Sequence, residues 1–326
     1  MLKAEYQQRG PVPQDVIAAV PFDLPELGAG EARVKVLAAP INPSDVLTLT
    51  GEYGMLPPLP AIGGNEGVGR VEAVAADVEG LKPGQMVLLP VGCGTWRSHL
   101  QVKAKQLIAL PEADPLQLAM LTVNPPTAYL MLREFVDLKP GDWVIQNAAN
   151  SGVGSYLIQL AKIRGLKTVN VVRRESAIDT VKAEGGDVVL VDGRDLHKRV
   201  REATGGASIK LGIDAVAGQS TDHLAQCLAE EGVLVNYGRM SGEPCQVTPS
   251  SFVFRDVTLR GFWLAKWFQK ASQAEQMQVF GELIGLIAQG KLKTRIGATY
   301  DVSEIQQAVA AAAAGERDGK ILVVPK

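Results

Sequence analysis

The sequence predicts an α/β protein in which a doubly wound parallel sheet carries one part of the chain and an irregular β-rich unit carries the other. Three observations predict it. Residues 143–146 form a short apolar strand that runs into Asn147-Ala148-Ala149-Asn150-Ser151-Gly152-Val153-Gly154, an amphipathic helix and a second strand at 168–172. Further apolar segments recur at βαβ spacing, at 188–191, 211–216, 232–237 and 257–262, separated by helix-like stretches at 176–184, 196–203 and 221–230. The part before residue 121 has another texture, with short β-like segments set between Pro- and Gly-rich loops.

From the N-terminus, segments 31–38, 67–75, 86–89 and 98–102 are expected as irregular strands. Loops such as Leu56-Pro57-Pro58-Leu59-Pro60 and Ile62-Gly63-Gly64 separate them. Residues 116–132 are expected to be helical, with Pro125-Pro126 breaking or kinking the helix. The six βα segments follow. After them come a helix over 271–289 stopped at Gly290, a β-like stretch at 297–300, an Ala-rich helix over 303–314 starting at Ser303-Glu304, and a terminal strand at 320–324. The closing strand matches the β-rich part in character, so the tail is expected to fold back onto it. The expected division is a catalytic domain over 1–120 and 265–326, interrupted by a nucleotide-binding domain over 121–264, with a substrate cleft between them.

The strand–turn–helix at 143–163 names a ligand. Small residues after a strand let the backbone approach a pyrophosphate, and the helix that follows offers N–H groups and a positive dipole end to it. Sites selective for NAD place an acidic residue about 20 positions further on to hold the ribose 2′-hydroxyl. Here that place carries Arg173-Arg174, which suits a 2′-phosphate, so the expected cofactor is NADPH. The strict G-x-G-x-x-G pattern is not met, because Ala149 and Ser151 stand where the first two glycines would be. Carboxyl ends of the strands, where such sheets bind ligands, are marked by Asn147, Arg173, Asp214-Ala215, Tyr237-Gly238 and Phe262-Trp263, with Asp214 read as a plain turn residue.

Composition narrows the class. At 326 residues, 46% hydrophobic and 21% charged, the chain suits two domains with substantial cores. A net charge of −2 argues against nucleic-acid or anionic-membrane partners. The start has no signal-peptide core and no Arg/Ser-rich transit character, and no stretch reaches membrane-span length, so a cytoplasmic location is expected. Cys93, Cys227 and Cys245 lie far apart, and His99, His197 and His223 have the spacing of neither a zinc site nor a triad. Cys227 is expected to pack; Cys93, between Gly92 and Gly94, either lines a pocket or is buried.

Several strings stand out: Ile41-Asn42-Pro43-Ser44-Asp45, Gly51-Glu52-Tyr53-Gly54 and Gly63-Gly64-Asn65-Glu66-Gly67-Val68-Gly69, followed by Gly94-Thr95-Trp96 and Val123-Asn124-Pro125-Pro126-Thr127-Ala128-Tyr129. Asn150-Ser151-Gly152-Val153, Asn170-Val171-Val172-Arg173 and Gly261-Phe262-Trp263-Leu264 complete the set. Together they resemble the zinc-free medium-chain dehydrogenases/reductases, and more narrowly the 2-enoyl thioester reductases, and the resemblance covers nearly the whole chain. It implies a Rossmann sheet joined to a GroES-like catalytic domain. Zinc-dependent relatives place cysteine and histidine ligands around positions 42 and 65, where this chain has asparagines.

The resemblance also implies roles. Hydride passes to the β-carbon of an α,β-unsaturated thioester and charge grows on the thioester oxygen, so the site needs a hydrogen-bond donor and an acid. Tyr53 matches the active-site tyrosine, as proton donor or enolate stabiliser, and Asn124 would contact the nicotinamide or the enolate region. Asn150, Ser151, Gly152 and Val153 would hold the pyrophosphate, and Arg173, Arg174 and Glu175 the 2′-phosphate region. Tyr237, Gly238, Arg239 and Met240, with Phe262, Trp263 and Leu264, would line the nicotinamide pocket, and Lys320 would close the cofactor site. The resemblance carries an acidic residue where this chain has Arg174 and a basic one at Glu175. Trp263, Trp267, Phe268 and Phe252 could wall an acyl tunnel or belong to the core. The implied substrate is an acyl group on CoA or on a carrier protein, and the implied assembly a homodimer joining two sheets edge to edge. The alternatives are an NADPH:quinone or enone reductase on the same scaffold and a silent NADPH-binding protein.

Overall fold

Buried and half-buried residues alternate along the first strands, as a period of two requires of a sheet with one covered face. β1 (Leu2–Tyr6) lies between β2 (Ile17–Pro21) and, further along the chain, the short β4 (Ala61–Ile62), in a three-stranded antiparallel sheet. β3 (Glu31–Pro40) leads into the two-turn helix α1 (Pro43–Thr50). Then come β5 (Val68–Val74), β6 (Met86–Leu88), β7 (His99–Lys103) and β8 (Ile108–Ala109). β3 pairs with β5 along one edge and with β7 along the first half of the other.

The segment expected as one helix over 116–132 is two: α2 (Pro115–Leu118) and α3 (Asn124–Met131), separated by a turn. Pro125 and Pro126 explain the break. They lack the N–H that a helix interior needs and are tolerated in a first turn, which is where α3 places them.

β9 (Trp143–Gln146), α4 (Gly152–Ile163) and β10 (Lys167–Val172) open the parallel sheet, followed by α5 (Ile178–Ala183), β11 (Val188–Val191) and α6 (Leu196–Ala203). β12 (Ile209–Asp214), α7 (Gln219–Cys227), β13 (Val233–Asn236), α8 (Pro249–Val253) and β14 (Thr258–Gly261) complete it. Its order is β11-β10-β9-β12-β13-β14, every pair parallel. The chain therefore winds outward from β9 in one direction and, after β11, in the other. The reversal at β9/β12 is a switch point, where such sheets bind ligands. Ile145, Val169, Val171, Leu224 and Leu234 build the core on one side of this sheet; Ala149, Ile158, Val172 and Val181 form a second cluster.

α9 (Leu264–Lys270) and α10 (Gln273–Ala288) precede β15 (Ile296–Tyr300), α11 (Ile305–Ala313) and β16 (Lys320–Val323). β16 inserts between β15 and the far end of β3, where Leu322 and Val323 face Pro40 and Ala39. The Ala-rich helix does not start at Ser303: Asp301 and Glu304 form the capping box and Ser303 lies inside the first turn, because the Asp301 carboxylate accepts the Ser303 N–H.

This computed structural model describes residues 1–315 and 318–326. It falls into two units, Met1–Val123 with Phe280–Lys326, and Asn124–Val279. Residues 265–279, expected with the tail, belong to the second unit, since α9 starts directly after the sheet's last strand.

Candidate active site

Sequence-local chemistry shapes the turn after β9. Ala148 takes a left-handed conformation (φ 46°), uncommon for a residue with a Cβ. Ser151 caps α4, its hydroxyl accepting the Gly154 N–H at 3.1 Å. A Cβ at Gly154 would stand 2.5 Å from the Ala149 carbonyl oxygen, so only glycine lets the helix start this close to the turn. The first turn of α4 thus aims its N–H groups and its positive dipole end out of the carboxyl edge of the sheet. Tyr237, more than 80 residues away in sequence, comes to the same place: its hydroxyl is hydrogen-bonded to Ser151, and burial pushes the phenol well above its ordinary range.

Asp214 is not a plain turn residue. It is fully buried, and one carboxylate oxygen accepts from Asn147 Nδ2 at 2.7 Å and from the N–H groups of Val216 and Ala217 at 2.9 and 3.0 Å. The other accepts from Thr221 Oγ1 at 2.7 Å and Asn236 Nδ2 at 3.0 Å. Five donors, from the residue after β9, the end of β13, the β12–α7 turn and the first turn of α7, therefore converge on one carboxylate, which fixes the rim of the sheet. The sequence marked Asp214 as a position on that rim; its role as a hub depends on long-range partners.

The other cofactor candidates of the second unit, Asn124 apart, follow the carboxyl ends of its strands. Arg173 and Glu175 are exposed and Arg174 half-buried just after β10. Gly238 follows β13, and a Cβ there would lie 2.7 Å from the Ala215 carbonyl oxygen. Arg239 is exposed and Met240 is 57% exposed. Phe262 follows β14 and meets Phe135 edge to face at 6.1 Å, Trp263 caps α9, and Leu264 begins it. Asn124, buried, opens α3. Of the proposed tunnel residues, Trp267 and Phe268 pack edge to face at 5.5 Å, whereas Phe252 is 40% exposed.

In the first unit Tyr53 is held by α1. Gly51 ends that helix in the left-handed conformation (φ 84°), and the Glu52 and Tyr53 N–H groups both donate to the Leu47 carbonyl, at 2.9 and 3.1 Å. Tyr53 is half-buried, and the loop beyond it exposes Met55, Leu56 and Leu59.

The other end of α1 enters a buried polar cluster. Asn42 caps the helix; its N–H donates to Asp45 Oδ2 at 2.7 Å and its Nδ2 to Glu66 Oε1 at 2.7 Å. Asn65 Nδ2 donates to Asp45 Oδ1 at 2.7 Å, and the Thr122 N–H and hydroxyl to Glu66 Oε2 at 3.0 and 2.9 Å. Lys320, which the resemblance sets beside the cofactor, places its ammonium here, on the Ile41 carbonyl at 3.3 Å and Asn42 Oδ1 at 2.5 Å. Burial pushes the Asp45 carboxyl up to about 7, against the pull of the Asn42 N–H and Lys320, and raises Glu66 as well. Neither Lys320 nor Glu66 was legible as part of one group, their positions lying far apart in sequence.

A family model described as "Alcohol dehydrogenase GroES-like domain" matches residues 28–112, and one described as "Zinc-binding dehydrogenase" matches residues 152–279. The mitochondrial enoyl-[acyl-carrier-protein] reductase of Rattus norvegicus is 42% identical over 306 residues, covering 92% of this chain and 82% of the relative. The chain belongs to the medium-chain dehydrogenases/reductases, in their enoyl-thioester-reductase branch. Among solved structures, Etr1p of Candida tropicalis in complex with NADP and crotonyl-CoA superposes with a TM-score of 0.88 at 29% identity, covering 99% of each chain; Etr1p is also solved as a heterodimer with Etr2p. A candidate NADPH:quinone reductase from Bacillus thuringiensis gives a TM-score of 0.89 at 28% identity, covering 100% of this chain and 99% of the other. The rat relative's name places it in mitochondria, a compartment outside the cytoplasmic expectation.

The second family description names zinc, and the donors at positions 42 and 65 do not fit that ion. Both side-chain amides spend their Nδ2 on carboxylates, and the Asn42 oxygen faces an ammonium that would repel a divalent cation. The NADPH cradle does fit this chain, since Gly154 and the Ser151 cap leave room at a helix start and two arginines follow β10. Among the described residues no helix is long and apolar enough to cross a membrane.

Proposed function

We propose that this chain reduces the α,β double bond of 2-enoyl thioesters with NADPH. The observation that carries the reading is the likeness, over 99% of both chains, to Etr1p in complex with NADP and crotonyl-CoA. In this reading the turn at Asn150, Ser151, Gly152 and Val153 holds the pyrophosphate, and Arg173 and Arg174, with Glu175 beside them, meet the 2′-phosphate. Tyr237 to Met240 and Phe262 to Leu264 line the nicotinamide pocket, and Asn124 faces the nicotinamide or the nascent enolate. When bound, NADPH supplies the hydride that reaches the β-carbon.

The residues must then manage charge and a proton. Negative charge develops on the thioester oxygen as the β-carbon is reduced, and a donor aimed at that oxygen lowers the barrier. Tyr53 is that donor or the acid that protonates the α-carbon. A phenol suits either task because it carries an O–H to donate. Asp214 and Asn147 take no part in the chemistry and keep the rim rigid.

We further infer a homodimer joined through β14. This strand ends the six-stranded sheet, with Thr258, Arg260 and Gly261 exposed and one edge free of a neighbour among the described strands. Beside it Val253 and Phe254 are 70% and 78% exposed, an apolar surface fit for burial against a second copy.

A second reading, reduction of quinones or enones, is favoured by the Bacillus thuringiensis match. NADPH oxidation with crotonyl-CoA and with 9,10-phenanthrenequinone, measured side by side, tests both. The thioester is expected to be the better substrate by kcat/KM; turnover of the quinone alone overturns the proposal.

A further inference from the structure

We propose that Met55, Leu56 and Leu59 form a hydrocarbon-binding wall beside Tyr53, which takes the acyl chain of the substrate and sets a preference for chains longer than crotonyl. The inference rests on the thioester reading and on the assignment of Tyr53 to it. It starts from exposure: these side chains are 57%, 40% and 39% exposed and fall within five consecutive residues. A single exposed leucine is ordinary, whereas three large apolar side chains on one short loop mark a surface that something apolar covers.

The loop is rigid rather than free to collapse. Pro57, Pro58 and Pro60 restrict its backbone torsions, and the Arg9 guanidinium donates to the Pro57 carbonyl at its middle. At one end the Tyr53 N–H sits on the Leu47 carbonyl of α1; at the other, Ala61 and Ile62 pair with Tyr6 and Glu5 of β1. Residues 54–60 are therefore fixed before and after, and once between. A wall set in place ahead of its ligand loses little freedom when the ligand arrives.

Charge decides the occupant. A 2-enoyl thioester has a hydrocarbon end and an end that bears phosphate, whether on CoA or on the pantetheine arm of a carrier protein. From Gly51 to Ile62 the sequence holds no cation, and its one carboxylate, on Glu52, repels phosphate. Arg9, the cation that reaches the loop, is turned to a backbone carbonyl. An anionic membrane surface is disfavoured on the same ground, and the hydrocarbon end is what remains. Position agrees with charge: Met55 and Leu56 follow Tyr53 by two and three residues, within about 11 Å of it along the chain. The acyl chain leaves from the carbonyl whose oxygen Tyr53 meets, so it starts beside this wall.

The test measures kcat/KM at saturating NADPH with crotonyl-CoA and with trans-2-octenoyl-CoA, for the wild type and for Met55→Ser/Leu56→Ser/Leu59→Ser. A fully buried methylene is worth about fourfold and a half-covered one less, so the wild type is expected to prefer octenoyl-CoA by about 10- to 100-fold. In the triple variant that ratio should fall below about threefold, with the larger loss on octenoyl-CoA. A preference that survives the substitutions puts the acyl wall elsewhere, at Trp267 and Phe268 for example, and overturns the inference. Equal losses on both thioesters make the three side chains supports of the tyrosine loop and overturn it too. Should the triple variant not fold, Met55→Ser and Leu59→Ser alone are each expected to lower the ratio about two- to fivefold, and an unchanged ratio in both refutes the wall. Wild-type turnover without any chain-length preference is the failure of this inference alone. Absence of turnover with either thioester is the failure of the thioester reading, and the inference falls with it.

Discussion

Asn147 and Asp214 clamp the two central strands of the parallel sheet together: Asn147 Nδ2 donates to the Asp214 carboxylate at 2.7 Å, and the N–H of Ala215, next to Asp214, donates back to Asn147 Oδ1 at 2.7 Å. The bridge sits where the strand order reverses. Replacing Asp214 with Ala leaves the Thr221 hydroxyl and two backbone N–H groups without this acceptor and takes one of two acceptors from each of Asn147 Nδ2 and Asn236 Nδ2, and a cost of about 3–5 kcal/mol is expected. Urea unfolding measures it. A loss below 1 kcal/mol would show that water replaces the carboxylate freely.

Tyr53→Phe removes a hydroxyl and little else. If the phenol donates to the developing enolate or gives up its proton, kcat with crotonyl-CoA falls by about 10- to 10⁴-fold while NADPH binding is kept. An unchanged kcat refutes the role.

Arg173 and Arg174 bear on cofactor choice. Changing both to Ala should weaken NADPH by about 10- to 100-fold and NADH by less than about threefold, because only the former carries a 2′-phosphate for them to meet. Titration of both coenzymes against the wild type and the double variant decides the matter; an equal loss for both would mean that the arginines act on the fold or on the pyrophosphate.

Asp45 ties stability to pH. Its folded value of about 7 lies above its ordinary 3.8, so the folded state holds the proton more tightly than the unfolded chain does. Stability from this group is therefore complete below about pH 4 and is lost as the pH rises to about 7, and Glu66, also raised, acts in the same direction. The stability difference between wild type and Asp45→Asn should shrink over that interval and level off above it. Unfolding curves at a series of pH values check this, and a difference independent of pH contradicts it.

The dimer proposal turns on Val253 and Phe254. Changing both to Asp sets charges on an apolar surface and should yield monomers in sedimentation velocity experiments. A dimer that persists places the interface elsewhere.

Much of this architecture was legible because it is written locally. A strand, a turn of small residues and a helix follow one another within 143–163, and the turn chemistry at Ser151 and Gly154 needs no distant partner. Tyr53 was named from the resemblance, through the local string Gly51-Glu52-Tyr53-Gly54. What escaped depends on the chain returning to itself. Asp214 looks like a turn residue until Asn147 and Asn236 reach it, and Lys320 bonds to Asn42 across 278 positions. The helix break before Asn124 was half-read: the prolines signalled an interruption, but whether they end one helix or begin the next is set by which carbonyls lack partners.

The place of β16 has a consequence for how the molecule is made. This strand, residues 320–323, lies inside the sheet it completes, between β15 and β3. On the ribosome the second unit has all its strands once Gly261 emerges, some sixty residues before the first unit receives its last one. The unit begun before the parallel sheet is thus completed after it. Until residues 320–323 emerge, the edge of β3 that will receive β16 stays open to chaperones or to a neighbouring nascent chain.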